Sequence, residues 1–425
     1  MSNEPARASE VDKPIRVVIQ QPNLARYRLP VYQELSKRPG LDVHLLYGND
    51  SDIPSVEPVG VKATMVPMSK FRLFGNEARW HSAQTKWTDQ KHADVVVLSW
   101  STRYMSLVPA LLKARRQHIG TVLWGHGYSK RETAVSMKAR SGVAQLADAL
   151  LFYNRSTARQ YVDAGYANPM RVFVAFNTLD QTEIQAARNE WLGQPEKLEA
   201  FRAQHGLAGK QSVLFVSRFD PKNRLDLLIR ALVKLRDSNP NLVVNIIGKG
   251  EAEGELRVLT KQLGLEDRVF FRGAIYGEQQ LAPWFLTAKA FVYPANIGLS
   301  AIHAFGYALP VVTADEPNAQ NPEFESLQHG YNSLLYTPER VDELAEAVGE
   351  LCRDGERQAA MSRNAHQTIT ERHSLKRMVD GMEQAIRYAD HCARRLRPEK
   401  MRVSNALLSF FSAIFLAELP AWCML

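Results

Sequence analysis

Cysteine is scarce in this chain: three among 425 residues, Cys352, Cys392 and Cys423. They show neither metal-ligand spacing nor a pairing pattern, which points to a reducing compartment. The opening "MSNEPARASEVDKP" lacks the apolar core of a secretory signal, so a cytoplasmic location is expected. No apolar run reaches the roughly 20 residues that a spanning helix needs. The nearest, "VSNALLSFFSAIFLA" at 403–417, has fifteen uncharged residues before Glu418. There is no finger motif and no basic platform interleaved with aromatics, which argues against nucleic acid as a partner. Neither a metal nor a bound cofactor is expected.

What is present is ordinary globular composition, 45% hydrophobic and 23% charged, in a chain too long for one core. A prior of about 150 residues per domain gives two or three domains, and two large ones fit best. Lysine and arginine exceed acidic residues by eight, which suits an anionic partner: a nucleotide or a phospholipid surface. The end of the chain joins "RRLRPEKMR" (394–402) to the apolar run. A basic segment beside an apolar helix suits the membrane interface, placing the chain peripherally on the inner face. A terminal helix packed on a domain, or a partner contact, is the alternative.

The first half alternates apolar runs with helical patterns: "IRVVIQQ" (15–21), "LDVHLLYG" (41–48), "ADVVVLSW" (93–100), "TVLWGHG" (121–127). Strands without polar alternation are buried on both faces, and intervening helices imply a parallel sheet. The grammar restarts at "SVLFVSR" (212–218) and runs through "LVVNIIGKG" (242–250), "RVFFRG" (268–273), "AFVYPA" (290–295) and "LPVVTA" (309–314). The fold class is therefore α/β, with two Rossmann-like doubly wound domains. Such sheets bind ligands outside the carboxyl ends of their strands, and a cleft between facing domains is the expected site.

Several turns at strand ends carry candidate chemistry. In "VVNIIGKGEAEGEL", Gly248 and Gly250 follow a strand and precede a helix, where the backbone can approach a phosphate. A tight turn with no ligand is the competing reading. A dinucleotide site would also want an acid ending the next strand; "RVFFRG" ends in Arg272 and Gly273, which weakens a nicotinamide reading. In "FVSRFDPKNRLDLL", Arg218, Lys222 and Arg224 could cradle a diphosphate through charge-assisted bonds of roughly 1.5–3 kcal/mol each. A solvated basic loop is the alternative. His126 in "LWGHGYS" sits between two glycines and could meet a substrate hydroxyl or phosphate, or merely satisfy its own loop. "QPNLARYRLPVYQEL" places Asn23, Arg26 and Arg28 after the first strand, facing an anionic acceptor or solvent. "YPANIGLSAIHAFGYALPVVT" (293–313) opens a helix beside Gly298, with Asn296 and Leu299 at its start and His303 one turn in.

Taken in order, these pieces resemble a retaining glycosyltransferase of family 4 with the GT-B fold, over about residues 15–390. "VSRFDPKNRLDLLIRAL", "IIGKGEAEGELRVLTKQLGLEDRVFFRGAI", "LAPWFLTAKAFVYPA" and "HAFGYALPVVT" look like its donor-binding domain, and "RVFVAFNTLD" (171–180) like its interdomain strand and turn. The resemblance implies a disordered opening at 1–14, an N-terminal acceptor-binding domain at 15–185 and a linker at 186–210. It implies a C-terminal nucleotide-sugar-binding domain at 211–375, a helix at 376–402 returning to the first domain, and an apolar tail at 403–425. The implied co-substrate is a nucleoside diphosphate sugar, with a saccharide or lipid-linked acceptor.

The resemblance also implies roles. Arg218 and His126 would be catalytic; Lys222, Arg224, Gly248, Gly250, Asn296, Gly298, Leu299 and His303 would bind the donor; Asn23, Arg26 and Arg28 would bind the acceptor. The chain departs from the family's two glutamates eight positions apart, having Ala295 and His303 there. Asn223 stands where the family's lysine is expected, and the glycine pair after the first strand is absent. Neutral imidazole keeps one acceptor nitrogen for a ribose hydroxyl. Rivals to a transferase are a GT-B binding or scaffold protein that lost catalysis with its glutamates and, further off, a sugar-nucleotide epimerase.

Overall fold

The computed structural model describes residues 13–49, 54–73, 76–128 and 133–395. The expected disordered opening up to residue 12, the basic stretch 396–402 and the apolar tail 403–425 lie outside the described residues, Cys423 with them. The described chain forms two units. One draws on 13–152, 157–175 and 379–395, the other on 153–156 and 176–378.

The first unit is built on a seven-stranded sheet. In chain order its strands are β1 (Ile15–Gln21), β2 (Leu41–Tyr47), β3 (Ala63–Met65), β6 (Val95–Ser99), β7 (Gly120–Gly125), β8 (Ala149–Phe152) and β9 (Val172–Val174). A separate antiparallel hairpin, β4 (Met68–Leu73) and β5 (Asn76–His81), interrupts the series. The spatial order is β3-β2-β1-β6-β7-β8-β9, all parallel. Unbroken apolar strands follow from burial on both faces: Val95, Val96, Val97 and Leu98 are all buried.

The helix Leu375–Arg395 supplies the unit's last described element. Its apolar positions Val379, Met382, Ile386, Ala389 and Ala393 recur at helical spacing and are buried. Two glycines let backbones touch. A Cβ on Gly381 would stand 2.0 Å from the Val174 carbonyl oxygen, and one on Gly120 would stand 2.5 Å from that of Ala389. Arg38 clasps the helix through Asp380 and Glu383.

The second unit holds a six-stranded parallel sheet: β10 (Gln211–Val216), β11 (Leu242–Ile247), β12 (Val269–Gly273), β13 (Ala288–Val292), β14 (Val311–Ala314) and β15 (Ser333–Tyr336). Its order, β12-β11-β10-β13-β14-β15, is the doubly wound order, with the direction of winding reversing between β10 and β13. The loops after those two strands are thus the place to look for a ligand.

One expected boundary is corrected. Residues 186–210, read as a linker, carry most of the helix Thr182–Leu192 and all of the helix Pro195–Gln204, and belong to the second unit, which starts again at 176. The polar composition hid a narrow apolar stripe, Ile184, Ala187 and Trp191, which enters that unit's core. Trp191 also donates its indole N–H to the Gln279 carbonyl at 3.0 Å.

Candidate functional site

The loop after β10 runs through Ser217, Arg218 and Phe219 into a short 3-10 turn, Pro221–Asn223, and the helix Leu225–Lys234. It packs on the glycine turn after β11 at backbone distance. A Cβ on Gly248 (φ +146°) would lie 1.8 Å from the Ser217 carbonyl oxygen, and one on Gly250 would lie 2.5 Å from that of Phe219. The Phe219 N–H donates to the Lys249 carbonyl, and the Ala252 N–H to that of Phe219. Both glycines are therefore demanded by this loop-on-loop packing.

Asn223, where a lysine was expected, is 3% exposed and wholly engaged. Its amide donates to the Arg218 carbonyl at 2.9 Å and its oxygen accepts from Asn296 Nδ2 at 3.1 Å, while its own carbonyl takes the Ala295 N–H at 3.2 Å. It ties the loop after β10 to the loop after β13. Asn296 reaches it from a left-handed backbone, φ +59°, a conformation asparagine tolerates better than most side chains.

The second loop leads into the helix Leu299–Gly306. Gln320 accepts the Ile297 N–H at 2.6 Å, and Asn321 Nδ2 donates to the Asn296 and Ile297 carbonyls at 3.0 and 3.1 Å. Gly298 lies against Asn321, whose Nδ2 would be 3.1 Å from an added Cβ. The N–H groups at the start of this helix, Leu299 first, lack an intrahelical acceptor and give this end positive character. Gln320 and Asn321 escaped the sequence reading, because amides in a loop carry no spacing signal.

The cations separate into different roles. Arg218 is exposed, and its guanidinium has no hydrogen bond or ion pair with a described residue. Lys222 is turned back to Asp220, 2.7 Å away. Partial burial works to raise the Asp220 carboxyl, yet the bonds from Lys222 and the charge of Arg218 hold it below the usual range. Arg224 departs from the expected cradle. It pairs with Asp226 at 3.0 Å and with Glu339, and hydrogen bonds to those two acids raise its pKa. Of the three, Arg218 alone keeps its charge uncommitted.

His303 likewise has a partner that the sequence did not show. Its Nε2 lies 2.9 Å from Glu278 Oε2, which also takes the Tyr307 hydroxyl at 2.7 Å. Facing a carboxylate, Nε2 carries a proton, and in the neutral imidazole Nδ1 is then the acceptor. The ring leans on Phe285, centroids 4.7 Å apart, and the side chain is 16% exposed. Burial and the Glu278 charge push the Tyr307 phenol upward, so it stays a donor. Glu278 opens the helix Glu278–Leu286 after β12, with nothing in its spacing to flag it.

In the first unit His126 is exposed directly after β7, between Gly125 and Gly127. Gly127 is left-handed, φ +72°, and a Cβ there would meet the Phe152 ring at 2.5 Å. Asn23 is half-buried and Arg26 exposed. Arg28 departs from the expectation of a cation open to an acceptor: it is 8% exposed, with its guanidinium 4.8 Å from the Trp124 ring centre and 5.3 Å from that of Tyr27. The aromatic face attracts the cation and the indole accommodates its stem.

Beneath these loops, where the winding of the first sheet reverses between β1 and β6, Gln20 accepts from Gln84 Nε2 at 2.8 Å and from the Ser99 N–H at 3.2 Å. Among the described residues, no three of His, Cys, Asp or Glu gather as a metal site, and no helix is long and apolar enough to cross a membrane.

Residues 197–368 match the family model described as glycosyl transferases group 1. The chain is 25% identical over 265 residues to a GDP-mannose-dependent alpha-(1-6)-phosphatidylinositol monomannoside mannosyltransferase of Mycolicibacterium smegmatis, covering 60% of this chain and 66% of that one. It is 30% identical over 196 residues to a D-inositol 3-phosphate glycosyltransferase of Streptomyces scabiei, covering 43% and 42%. The matched region thus spans less than two thirds of either relative. Among solved structures, Anabaena HepE in complex with UDP superposes with a TM-score of 0.67 at 17% identity, over 88% of this chain and all of that one. The fold is GT-B.

Proposed function

We propose that this chain, whose residues 197–368 match the family model of glycosyl transferases group 1, transfers a sugar from a nucleoside diphosphate sugar to a hydroxyl acceptor with retention of anomeric configuration. The observation that carries the reading is Arg218, an exposed, unpaired guanidinium at the carboxyl end of the central strand β10. The loop that bears it is tied by Asn223 to the start of the helix Leu299–Gly306.

In this reading the bond between the anomeric carbon and the diphosphate oxygen breaks as positive charge grows on the sugar. Arg218 and the N–H groups at the helix start neutralise the leaving diphosphate. The acceptor oxygen bonds to the same face of the anomeric carbon, and its proton passes to the departing phosphate. His303, oriented by Glu278, offers Nδ1 to a ribose hydroxyl. His126 steadies the donor, while Asn23 and Arg26 meet the acceptor. Ala295 has no polar side chain, so the sugar is positioned by other groups, Asn296 among them.

The matched relatives and structures are named for GDP-mannose in one case and UDP in another. The donor base is therefore tested by thermal-shift screening against UDP, GDP, TDP, ADP and their sugars, since a ligand held only by the native state raises the melting point. One nucleotide class should stabilise the protein, and its sugar should then be transferred with the anomeric configuration kept, read by NMR. Partner assembly with no stabilising nucleotide and no turnover would instead establish a scaffold. The product belongs to bacterial surface polysaccharide or glycolipid synthesis in this proposal. The basic and apolar end of the sequence supports peripheral attachment to an anionic lipid surface. Deleting 403–425 should release the protein from vesicles, and continued co-sedimentation would refute that attachment.

A further inference from the structure

The second unit has a cavity of about 410 Å³ that none of the roles above uses, lined by Arg155, Phe176, Glu325, Thr368, Glu371, Arg372, His373 and Arg377 among others. Its charges are unevenly engaged. Glu325 accepts the backbone N–H groups of Arg155 and Ser156 at 3.1 and 2.7 Å, and Glu371 accepts from Gln367 Nε2 at 2.8 Å. The Thr368 hydroxyl donates to the Asn364 carbonyl at 2.8 Å. By contrast, Arg155, Arg372 and Arg377 are exposed, and none forms an ion pair with a described residue. The three guanidinium groups outnumber the two carboxylates and are paired with neither, so the cavity wall carries a net positive charge with its guanidinium donors open. That is the condition under which a charge-assisted, bidentate bond to an oxyanion is favourable.

The remaining wall is aromatic. Arg155 stacks over the Phe176 ring with 5.1 Å to its centre, and Phe176 meets His373 edge-on at 5.2 Å. His373 is 5% exposed; burial, with the charges of Arg372 and Arg155 adding to it, pushes its imidazole down to about 4. It is therefore neutral at physiological pH and serves as wall rather than as a fourth cation. A cavity of this size falls within the range of small-molecule sites and exceeds what one bare phosphate fills.

We propose that this cavity binds an organic phosphate, its phosphoryl oxygens held by Arg155, Arg372 and Arg377 and its organic part set against Phe176. The inference stands apart from the donor reading, because Arg218 takes no part in it.

The test is calorimetric titration of the full chain with inorganic phosphate and with phenyl phosphate. It is run on the wild type, the double variant Arg372→Ala with Arg377→Ala, and Arg218→Ala. Both probes should bind the wild type, phenyl phosphate more tightly, and both should weaken about tenfold or more in the double variant. In Arg218→Ala any binding at the donor loop falls away, while the binding lost in the double variant should persist. The arginines are exposed, so the double variant is expected to fold, and circular dichroism with an unchanged melting point verifies it; should it not fold, Arg372→Gln replaces it. No binding to the wild type, or binding that survives in the folded variant, overturns the proposal. Loss of all binding in Arg218→Ala overturns it too, by placing the anion at the donor loop. Equal affinity for the two probes would refute the organic part.

Discussion

The loop after the first strand of each sheet sets an exposed arginine beside a buried polar side chain, and the two units use the pair in opposite ways. After β1, Arg26 is exposed and the buried partner is itself a cation, Arg28, lying over Trp124. After β10, the cation Arg218 is exposed and the buried partner is neutral, Asn223, spending its amide on two neighbouring loops. A neutral amide can be fully satisfied by backbone and amide groups. A buried guanidinium needs an aromatic face and further partners to offset its lost hydration. The second unit therefore leaves the Arg218 charge unpaired at the strand end, while the first invests one of its two in the fold.

The sharpest break of this contrast is Gly248→Ala. Its Cβ would collide with the Ser217 carbonyl in a backbone region that L residues avoid. A loss on the order of 4 kcal/mol is expected in denaturant titration. A change below about 1 kcal/mol would show that the loop after β10 is not held as described.

Arg28→Ala comes next, with an expected cost of about 2–3 kcal/mol from lost packing and cation–π attraction, against less than about 0.5 for Arg26→Ala. Equal costs would erase the distinction between the pair. Asn223→Ala should cost about 2 kcal/mol, because the Arg218 carbonyl and the Asn296 amide each lose a bond in a buried setting. It should also weaken nucleotide binding, through the position of Arg218.

The smallest stability effect belongs to Arg218→Ala, within about 0.5 kcal/mol, with nucleoside diphosphate affinity falling about tenfold, equivalent to 1.4 kcal/mol. Unchanged affinity would assign Arg218 to solvent, and the contrast between the units would lose its functional meaning.

The architecture was legible because buried parallel strands are written as unbroken apolar runs: "VVVLS" and "LVVNII" fall on β6 and β11. The site was legible only in part. Arg218, Gly248 and Gly250 were singled out by their place at strand ends, yet the glycines turned out to serve a close approach of two loops. Glu278, Gln320 and Asn321 were invisible, since each acts on a partner 23 to 25 residues away with no periodicity joining them. The docking of the helix Thr182–Leu192 on the second unit was not legible, because three apolar residues in a polar stretch, Ile184, Ala187 and Trp191, suffice to dock it once a core exists to receive them.

The sequence alone determined which apolar segments form the buried parallel strands of the two large sheets and where several turns fall, because those depend on local hydrophobic period and on glycine and proline chemistry. Tertiary structure alone decided which of several similar cations stays free. Arg218, Lys222 and Arg224 sit within seven residues, but an acid at 226 and another at 339 take Arg224, and Asp220 takes Lys222. A charge is available to a ligand only when no carboxylate reaches it first, and that depends on distances the linear order does not contain.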